Sequence, residues 1–571
     1  MNVELPEPKR SNVPWREVNR FSASPGYLYP SAVIEVLPTD RITGNLHTIL
    51  RSRPTNQSIY GSFRESHQAF FVPARLYSKT LDQLSTFGNQ ADGFDPNTSV
   101  KLPFVGWRGL PADGVYGPKN GQVMPCSLLS YLNMFPSMFK MTDAFYESTD
   151  ELGNYTFDAI PDLNVIPLVA YYDILRNYYF NSQELDMPFV TGEFDKLVSR
   201  DRDASFNLVS KFALDNFISN VYNGEYSVDS LDNGQIFNDL LDIGIPLMNT
   251  ETDLNDAVDF STFMSLYGRK GANAPDIANH AGLGVRCYDD DYFVVSLNQE
   301  YVDEINNSAR VVVTNGSFSV TQIQRANRIY KHRSKNVLGG SDYDDYLYVH
   351  FNARLGREVN KPIFLGSTSS SFYFEDIYST QAVGKYDETN ITNNHLGSRA
   401  GILNSRSSSN DGFIDFTANE FGYLIVLSSI IPQVTYSRGI PKMYLKSSTD
   451  DFYSPEFDAW SFQDIHPVEI DAHTAISDSV PVTKSQPAWF EHLATYDKHH
   501  GLYDTDLMYG FQVLARDADY MDNSLQSTYI RPWEWNYIFS YQAAWFDNFE
   551  WQILLDLNLY RPISKQILPS M

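Results

Sequence analysis

The sequence has little that would support secretion, a disulfide framework or insertion into a membrane. Only Cys126 and Cys287 are cysteines among 571 residues, which fits a reducing compartment. The first fifteen residues lack the apolar stretch of a signal peptide. The longest apolar run, residues 423–431, is about half as long as a membrane-spanning helix requires. We therefore expect a soluble intracellular chain without membrane insertion.

Motifs of the common enzyme and metal sites are also missing from the sequence. It contains no P-loop, no zinc-binding H-E-x-x-H or C-x-x-C, and no G-x-S-x-G nucleophile turn. His499 and His500 are adjacent and would point to opposite faces of a strand, which favours a surface loop over a metal site. Asp289, Asp290 and Asp291 lack the ligand spacing of an EF-hand, so a solvated loop is favoured and structural calcium is the alternative. We expect no cofactor, no metal and no catalytic residue.

Basic residues are few compared with acidic ones. There are 43 Lys and Arg against 70 Asp and Glu, which gives a formal charge of −27. A general nucleic-acid coat is excluded by this balance, because neutralising phosphates requires Lys and Arg. Aromatic residues are abundant instead, with 37 Tyr and 37 Phe, and they favour strands and interfaces.

The order of turn signals and apolar runs predicts a mainly β protein. Residues 1–30 are proline-rich and are predicted to form an extended N-terminal arm outside the core. Strand-like runs follow between residues 31 and 72, and Pro167–Phe180 has the three- and four-residue apolar spacing of a helix. We predict one domain over 31–571, a β-sandwich with large mixed helical and loop insertions at about 78–165, 191–310 and 367–415.

One strand breaks the alternation expected of a half-buried strand. In residues 65–77, "ESHQAFFVPARLY", Phe70, Phe71 and Val72 place apolar bulk on both faces. We therefore predict that protein rather than water covers the second face, either an insertion of the same chain or a neighbouring subunit.

A single basic segment interrupts the acidic composition. Residues 321–336, "TQIQRANRIYKHRSKN", carry five cations and no acid: Arg325, Arg328, Lys331, Arg333 and Lys335. The spacing predicts a helix with an apolar stripe and a basic face. That face is predicted to dock on an acidic neighbour or partner subunit, to contact nucleic-acid phosphates, or to be solvated.

Several stretches in order resemble the major capsid protein of microviruses, small icosahedral single-stranded DNA bacteriophages, with the nearer similarity to the gokushovirus-like branch. They include residues 25–30 "PGYLYP", the Phe-Phe-Val-Pro-x-Arg pattern of residues 70–75, and a tyrosine-rich helix around residues 171–180. The basic segment, residues 362–366 "PIFLG" and residues 451–457 "DFYSPEF" follow in the family's order.

The resemblance implies an eight-stranded antiparallel jelly roll of the viral capsid type. Identical subunits would assemble through pentamers into a small T=1 icosahedral shell around a circular single-stranded DNA genome. A small basic DNA-binding protein and a scaffolding or pilot protein of the same virus would be partners, together with a host surface receptor. The chain would reside in the virion, and in the host cytoplasm during assembly.

Within that shell, charge predicts which segments face the genome. Residues 191–300 hold nineteen acidic and seven basic residues, so this insertion is expected on the outside. The basic segment, or the arm residues Lys9, Arg10, Arg16 and Arg20, are candidates for contact with DNA. The alternative function is a carbohydrate-active or carbohydrate-binding β-sandwich, suggested by the aromatic and acidic composition.

Overall fold

The structure is a computed structural model, and every structural statement below concerns the residues that it describes. These are residues 10–53, 55, 59–82, 102–105, 127–134, 163–179, 186–190, 206–224, 235–245, 247, 282–284, 360–373, 377–378, 399–401, 406–433, 440–455, 462–464, 466–470, 485–487, 489–493, 498–504, 538–539 and 547–563.

Eight long strands form two four-stranded sheets. In chain order they are β1 (Ser11–Ala23), β2 (Tyr29–Val36), β3 (Arg41–Ser52), β4 (Ser62–Pro73), β5 (Ile363–Tyr373), β6 (Arg406–Thr417), β7 (Gly422–Pro432) and β8 (Phe549–Arg561). The first sheet has the order β1-β8-β3-β6 and the second β2-β7-β4-β5. Every neighbouring pair is antiparallel. The mainly β prediction is therefore confirmed.

Shorter elements lie between these strands. The three longest helices are α1 (Ile166–Ile174), which continues as a π-helical turn (Leu175–Tyr179), α2 (Lys211–Asn223) and α3 (Gln235–Asp242). Shorter helices span Ala74–Tyr77, Lys79–Asp82, Leu128–Tyr131, Lys442–Tyr444, Thr449–Asp451, Pro467–Ile470, Phe490–His492 and Gly501–Asp504. Short antiparallel strand pairs are Phe104–Val105 with Leu163–Asn164, Asp186–Val190 with Phe206–Ser210, Ile377–Tyr378 with Arg399–Gly401, and Phe462–Asp464 with Ser485–Pro487.

The core lies between the two sheets. Alternate residues of β8 are buried and contribute a row of apolar side chains, as expected for a strand with one covered face: Phe549, Trp551, Ile553, Leu555, Leu557 and Leu559. Aromatic rings of β4 meet the first sheet, with ring centroids 5.3 Å apart for Phe63 and Phe549 and 4.9 Å apart for Phe71 and Phe416. The sheets therefore pack face to face as a sandwich.

Polar side chains are buried inside the same core. Thr48 Oγ1 of β3 donates a hydrogen bond to Glu65 Oε1 of β4 over 3.1 Å. The His67 Nδ1 atom lies 2.8 Å from Ser428 Oγ, and the His67 ring packs 5.1 Å from that of Trp551. Burial lowers the pKa of His67 to about 3, so this ring is neutral near pH 7.

The second face of β4 is covered by the same chain. Phe70, Phe71 and Val72 are all fully buried. The Phe70 ring lies 4.9 Å from Tyr178 in the π-helical turn after α1 and 5.6 Å from Phe364 in β5. The prediction that protein covers this face is confirmed, and the cover comes from the predicted tyrosine-rich helix.

That helix is anchored by its tyrosine hydroxyl groups. Tyr171 donates to the Leu28 carbonyl oxygen over 2.8 Å and accepts from the Gly284 N–H over 3.0 Å. Tyr77, just after β4, donates to Asp173 over 2.6 Å. These bonds tie α1 to β4 and to the segment before β2, which explains why a helix so rich in Tyr is buried.

The predicted N-terminal arm differs from the structure. Residues 11–23 form β1, which pairs with β8 along its whole length, from Ser11 opposite Arg561 to Ala23 opposite Phe549. The predicted boundary at residue 30 falls inside β2. The prolines concealed this strand in the sequence, because its partner is more than five hundred residues away and no local pattern reveals it.

Two other predicted boundaries differ as well. The insertion predicted over 367–415 overlaps β5 at its beginning and β6 at its end. Residues 422–432 form one continuous strand, β7. β5 and β6 are edge strands of the two sheets and pair with β4 and β3, and local turn signals do not report such pairing. The division into a single domain with three insertions stays a prediction.

Part of the acidic insertion is described. In residues 206–224, the short strand Phe206–Ser210 is followed directly by α2. Ser210 caps α2 by accepting from the Ala213 N–H, and Gly224 ends it with φ of 84°. No described helix is long and apolar enough to cross a membrane.

Candidate nucleic-acid-facing surface

The face of the first sheet that points away from the second sheet carries most of the described arm cations. We call it the outward face. Opposite residues in antiparallel strands share a face, so the register places Arg16 and Arg20 of β1 in rows with Asp556 and Gln552 of β8. We count only residues that are paired in the sheet, and its charged side chains are then Arg16, Arg20, Arg41, Arg51, Asp415, Glu550 and Asp556.

The outward face has a different charge balance from the chain as a whole. Its four arginines and three carboxylates give a net charge of +1, whereas the full chain carries −27. Alternation produces this arrangement: in β1 the even-numbered residues from Asn12 to Ser22 are exposed, and the odd-numbered ones between them are partly covered except for Trp15. The sheet therefore separates a local basic surface from its apolar core.

Arg16 is held in an ion pair on this face. Its Nη2 and Nε atoms lie 2.9 and 3.2 Å from Asp556 Oδ2. The hydrogen bond from Arg16 lowers the pKa of Asp556 below its usual range, and the same contact raises the pKa of Arg16. The Arg16 side chain is 73% exposed, so the pair is solvated and contributes little to stability. Its charge is locally compensated.

Arg20 and Arg10 have uncharged partners instead. The Arg20 Nε atom donates to Gln552 Oε1 over 2.7 Å, and the Arg10 guanidinium lies 5.7 Å from the centre of the Tyr560 ring. A neutral partner positions a guanidinium without cancelling its charge. Arg20 therefore presents a fixed positive charge at the exposed edge of the sheet.

The described residues include only some of the predicted site residues. Arg10, Arg16 and Arg20 lie in or beside β1, with Arg16 and Arg20 on one face. Residues outside the described part of the chain are Lys9, the whole basic segment (Arg325, Arg328, Lys331, Arg333 and Lys335) and the calcium candidates Asp289, Asp290 and Asp291. Within the described part, no group of three or more His, Cys, Asp or Glu could hold a metal ion.

Two arginines of this face were missed by the sequence interpretation. Arg41 and Arg51 frame the strand β3, and Arg41 Nε lies 3.4 Å from Asp415 Oδ1 of β6. Both are odd-numbered. The odd positions of β3 are mainly polar and its buried apolar residues are even-numbered, so period-two alternation in β3 could have identified the two arginines. Their proximity to β1 could not be read from the sequence, because β8 separates the two strands.

Comparison with known families identifies the class of this protein. A family model described as capsid protein (F protein), from bacteriophages, matches residues 248–571, more than half of the chain. The chain therefore belongs to the phage F capsid protein family, the microvirus type of major capsid protein. The matched range includes the last hundred residues, which contain none of the motifs quoted above, and excludes the motifs around residues 25–30, 70–75 and 171–180. No curated protein matches the sequence.

Proposed function

We propose that this chain is the major capsid protein of a microvirus-type bacteriophage, a structural subunit with no catalytic role. The observation that carries the proposal is the family match over residues 248–571. The subunits would gather through pentamers into a T=1 icosahedral shell around circular single-stranded DNA. Its partners would be further copies of itself, the genome, a small basic DNA-binding protein, a scaffolding or pilot protein, and a host receptor.

The strand order supports an eight-stranded jelly roll. The outermost strands in sequence, β1 and β8, are neighbours in a sheet, and so are β2 and β7, β3 and β6, and β4 and β5. This nesting is what results when one long antiparallel hairpin rolls up into two sheets, the architecture of many viral shell domains. Fold alone does not define function, and the family match supplies the functional part of the proposal.

The outward face is proposed to lie toward the genome. Its net charge of +1 repels phosphates less than the acidic remainder of the chain does. Such a weak charge suits a container whose genome is neutralised largely by a separate basic protein. The acidic insertion 191–310 would then lie outside. Host cytoplasm would be the place of assembly and the virion the final location.

Comparison of two arginine variants tests the genome-facing assignment. Arg20→Gln should lower the amount of DNA retained by particles more than Arg16→Gln does, because Arg20 has a neutral partner and Arg16 a carboxylate. The salt dependence of single-stranded DNA binding should weaken in the same order. Equal retention in wild-type and Arg20→Gln particles would refute the assignment.

Assembly itself is tested by sedimentation and negative-stain imaging of the protein, alone and from infected cells. Closed particles of uniform size that contain this chain are expected. A monomer in every preparation, together with turnover of a glycan, would instead support the carbohydrate-active alternative.

A further inference from the structure

Exposed apolar side chains are concentrated in one part of the described surface. Residues 440–455 and 489–493 contribute Met443, Tyr444, Phe452, Tyr453 and Leu493, all of which are largely exposed. We call these five residues the aromatic patch. The Tyr453 ring packs edge-on against Trp489, with centroids 5.4 Å apart, and lies 6.2 Å from His492. These ring contacts join the two chain segments.

A largely buried ion-pair cluster also joins the two segments. Glu491 lies 3.5 Å from the Lys446 ammonium group and 4.0 Å from that of Lys442. The Lys446 ammonium group also lies 5.4 Å from the centre of the Phe452 ring. Asp451 accepts hydrogen bonds from the backbone N–H groups of Ser447 and Ser448, each over 2.8 Å. These contacts fix the chain segments that carry the aromatic rings.

The area of the patch corresponds to a protein interface. The exposed fractions of Tyr444, Phe452 and Tyr453 are 71%, 63% and 45%. With about 200 Å² for a full aromatic side chain, these rings expose about 350 Å². Met443 and Leu493 raise the apolar total to about 500 Å². A standard interface buries about 800 Å² on each partner, so the patch could provide more than half of one side.

The charge of the patch argues against a nucleic acid as its partner. The side chains of Lys442 and Lys446 are mostly buried and pair with Glu491, so they are not arranged to bind phosphates. Interface cores between proteins are depleted in charge and enriched in Tyr, Phe, Trp and Met. The patch has this composition, and all of it lies in the range matched by the capsid family.

We propose that the aromatic patch is a contact surface for a second copy of this chain in the shell. This inference rests on the proposed capsid function, which requires each copy to bury surface against identical neighbours. Tyr444 and Phe452 would be the central residues, because they combine the largest rings with high exposure. The partner copy would cover them on assembly.

A matched pair of variants tests the proposal. The double variant Tyr444→Ser/Phe452→Ser should raise the protein concentration needed for half-maximal assembly by roughly tenfold or more. It should leave thermal unfolding of the unassembled subunit unchanged, since the rings are exposed there. Phe212→Ser is the control, because Phe212 in α2 is 73% exposed and lies outside the patch. It should leave assembly unchanged.

Photo-crosslinking identifies the occupant. A benzophenone-bearing amino acid in place of Tyr444 should give covalent dimers in assembled particles, and the same probe in place of Phe212 should not. Crosslinks within one chain, crosslinks to DNA, or unchanged assembly of the double variant would each overturn the proposal. If wild-type protein assembles in the same experiments, any of these three results refutes the contact surface and leaves the proposed capsid function standing. If wild-type protein never assembles, the proposed function fails as well.

Discussion

At the scale of single residues, His67 is the clearest titratable group in the sandwich core. Its side chain is buried, its Nδ1 atom lies within hydrogen-bond distance of Ser428 Oγ, and its ring packs on that of Trp551. Ser428 in turn donates to Ser31 Oγ over 2.8 Å, so the polar contacts cross from β4 through β7 to β2. These groups face other buried side chains, and burial therefore disfavours a charge on the ring.

Acid should destabilise the subunit through His67. The folded pKa is lowered to about 3, against an ordinary value of 6.5, so the unfolded chain binds the proton more readily between these values. The contribution of His67 is fully present above pH 6.5 and is lost as the pH falls toward 3. Between pH 7 and pH 5 the loss should be about 2 kcal/mol.

Urea unfolding of the unassembled subunit at pH 5 and pH 7 measures this effect. Carboxylates also contribute to acid sensitivity, so the variant His67→Gln is the control. It should show a smaller loss of unfolding free energy between the two pH values than wild type does. Equal losses would mean that His67 does not titrate as proposed.

The buried ion pair of Arg75 and Glu420 joins the end of β4 to the connection between β6 and β7. The Arg75 Nε and Glu420 Oε2 atoms are 2.7 Å apart, and the side chains are 8% and 5% exposed. Arg75→Met leaves the Glu420 carboxylate without this charge partner and should cost about 3–5 kcal/mol of unfolding free energy. Arg16→Met removes a solvent-exposed pair and should leave the unfolding free energy nearly unchanged.

Denaturant unfolding of both variants and of Arg75→Met/Glu420→Leu measures the difference. The double variant should regain much of the lost stability, because an apolar pair of similar volume avoids the stranded charge. A double variant less stable than Arg75→Met would contradict this explanation.

At the scale of elements, β4 depends on cover from both sides. Phe71 faces the first sheet and Phe70 faces the π-helical turn, and both are fully buried. The outer cover comes from residues a hundred positions further along the chain. Backbone packing is equally close where β7 begins: a Cβ at Gly422 would lie 2.4 Å from the Val72 carbonyl oxygen. No side chain fits there without a backbone shift.

Replacing a large side chain by alanine should therefore lower the unfolding free energy on both faces of β4. We expect Phe70→Ala and Phe71→Ala each to lower the unfolding free energy by about 3–5 kcal/mol, because each leaves a cavity in a packed site. A strand with one solvated face would show this cost at only one of the two positions. Urea unfolding of the two variants checks this. A cost below about 1 kcal/mol for Phe70→Ala would show that the π-helical turn does not seal the outer face.

At the scale of the whole molecule, the acidic insertion and the β4 region are expected to respond differently to protease. Residues 67–77 are almost entirely buried in the subunit, whereas residues 191–310 are proposed to lie outside the shell. Trypsin should cut intact particles first within 191–310, where Lys and Arg residues provide sites. Mass spectrometry of timed digests identifies the order. Early cleavage at Arg75 together with protection of residues 191–310 would contradict the proposal that this insertion lies outside the shell.

The sequence by itself determined the local elements of this protein. Strand-like runs between turn signals predicted β2, β3 and β4, and three- and four-residue spacing predicted α1, because these patterns depend on local backbone geometry. The order of the motifs indicated a capsid protein, and the family match confirms that class.

Only the tertiary structure decided which segments meet. The pairing of β1 with β8, the ion pair of Arg75 with Glu420 and the cover of Phe70 by Tyr178 all join residues far apart in the chain. Local propensity carries no information about such partners, because a strand or a buried charge specifies what kind of neighbour it needs and not which one. The pairing of strands into two sheets determines which segments become neighbours. It brings the first and last described strands together and places Arg16 and Arg20 on one exposed face.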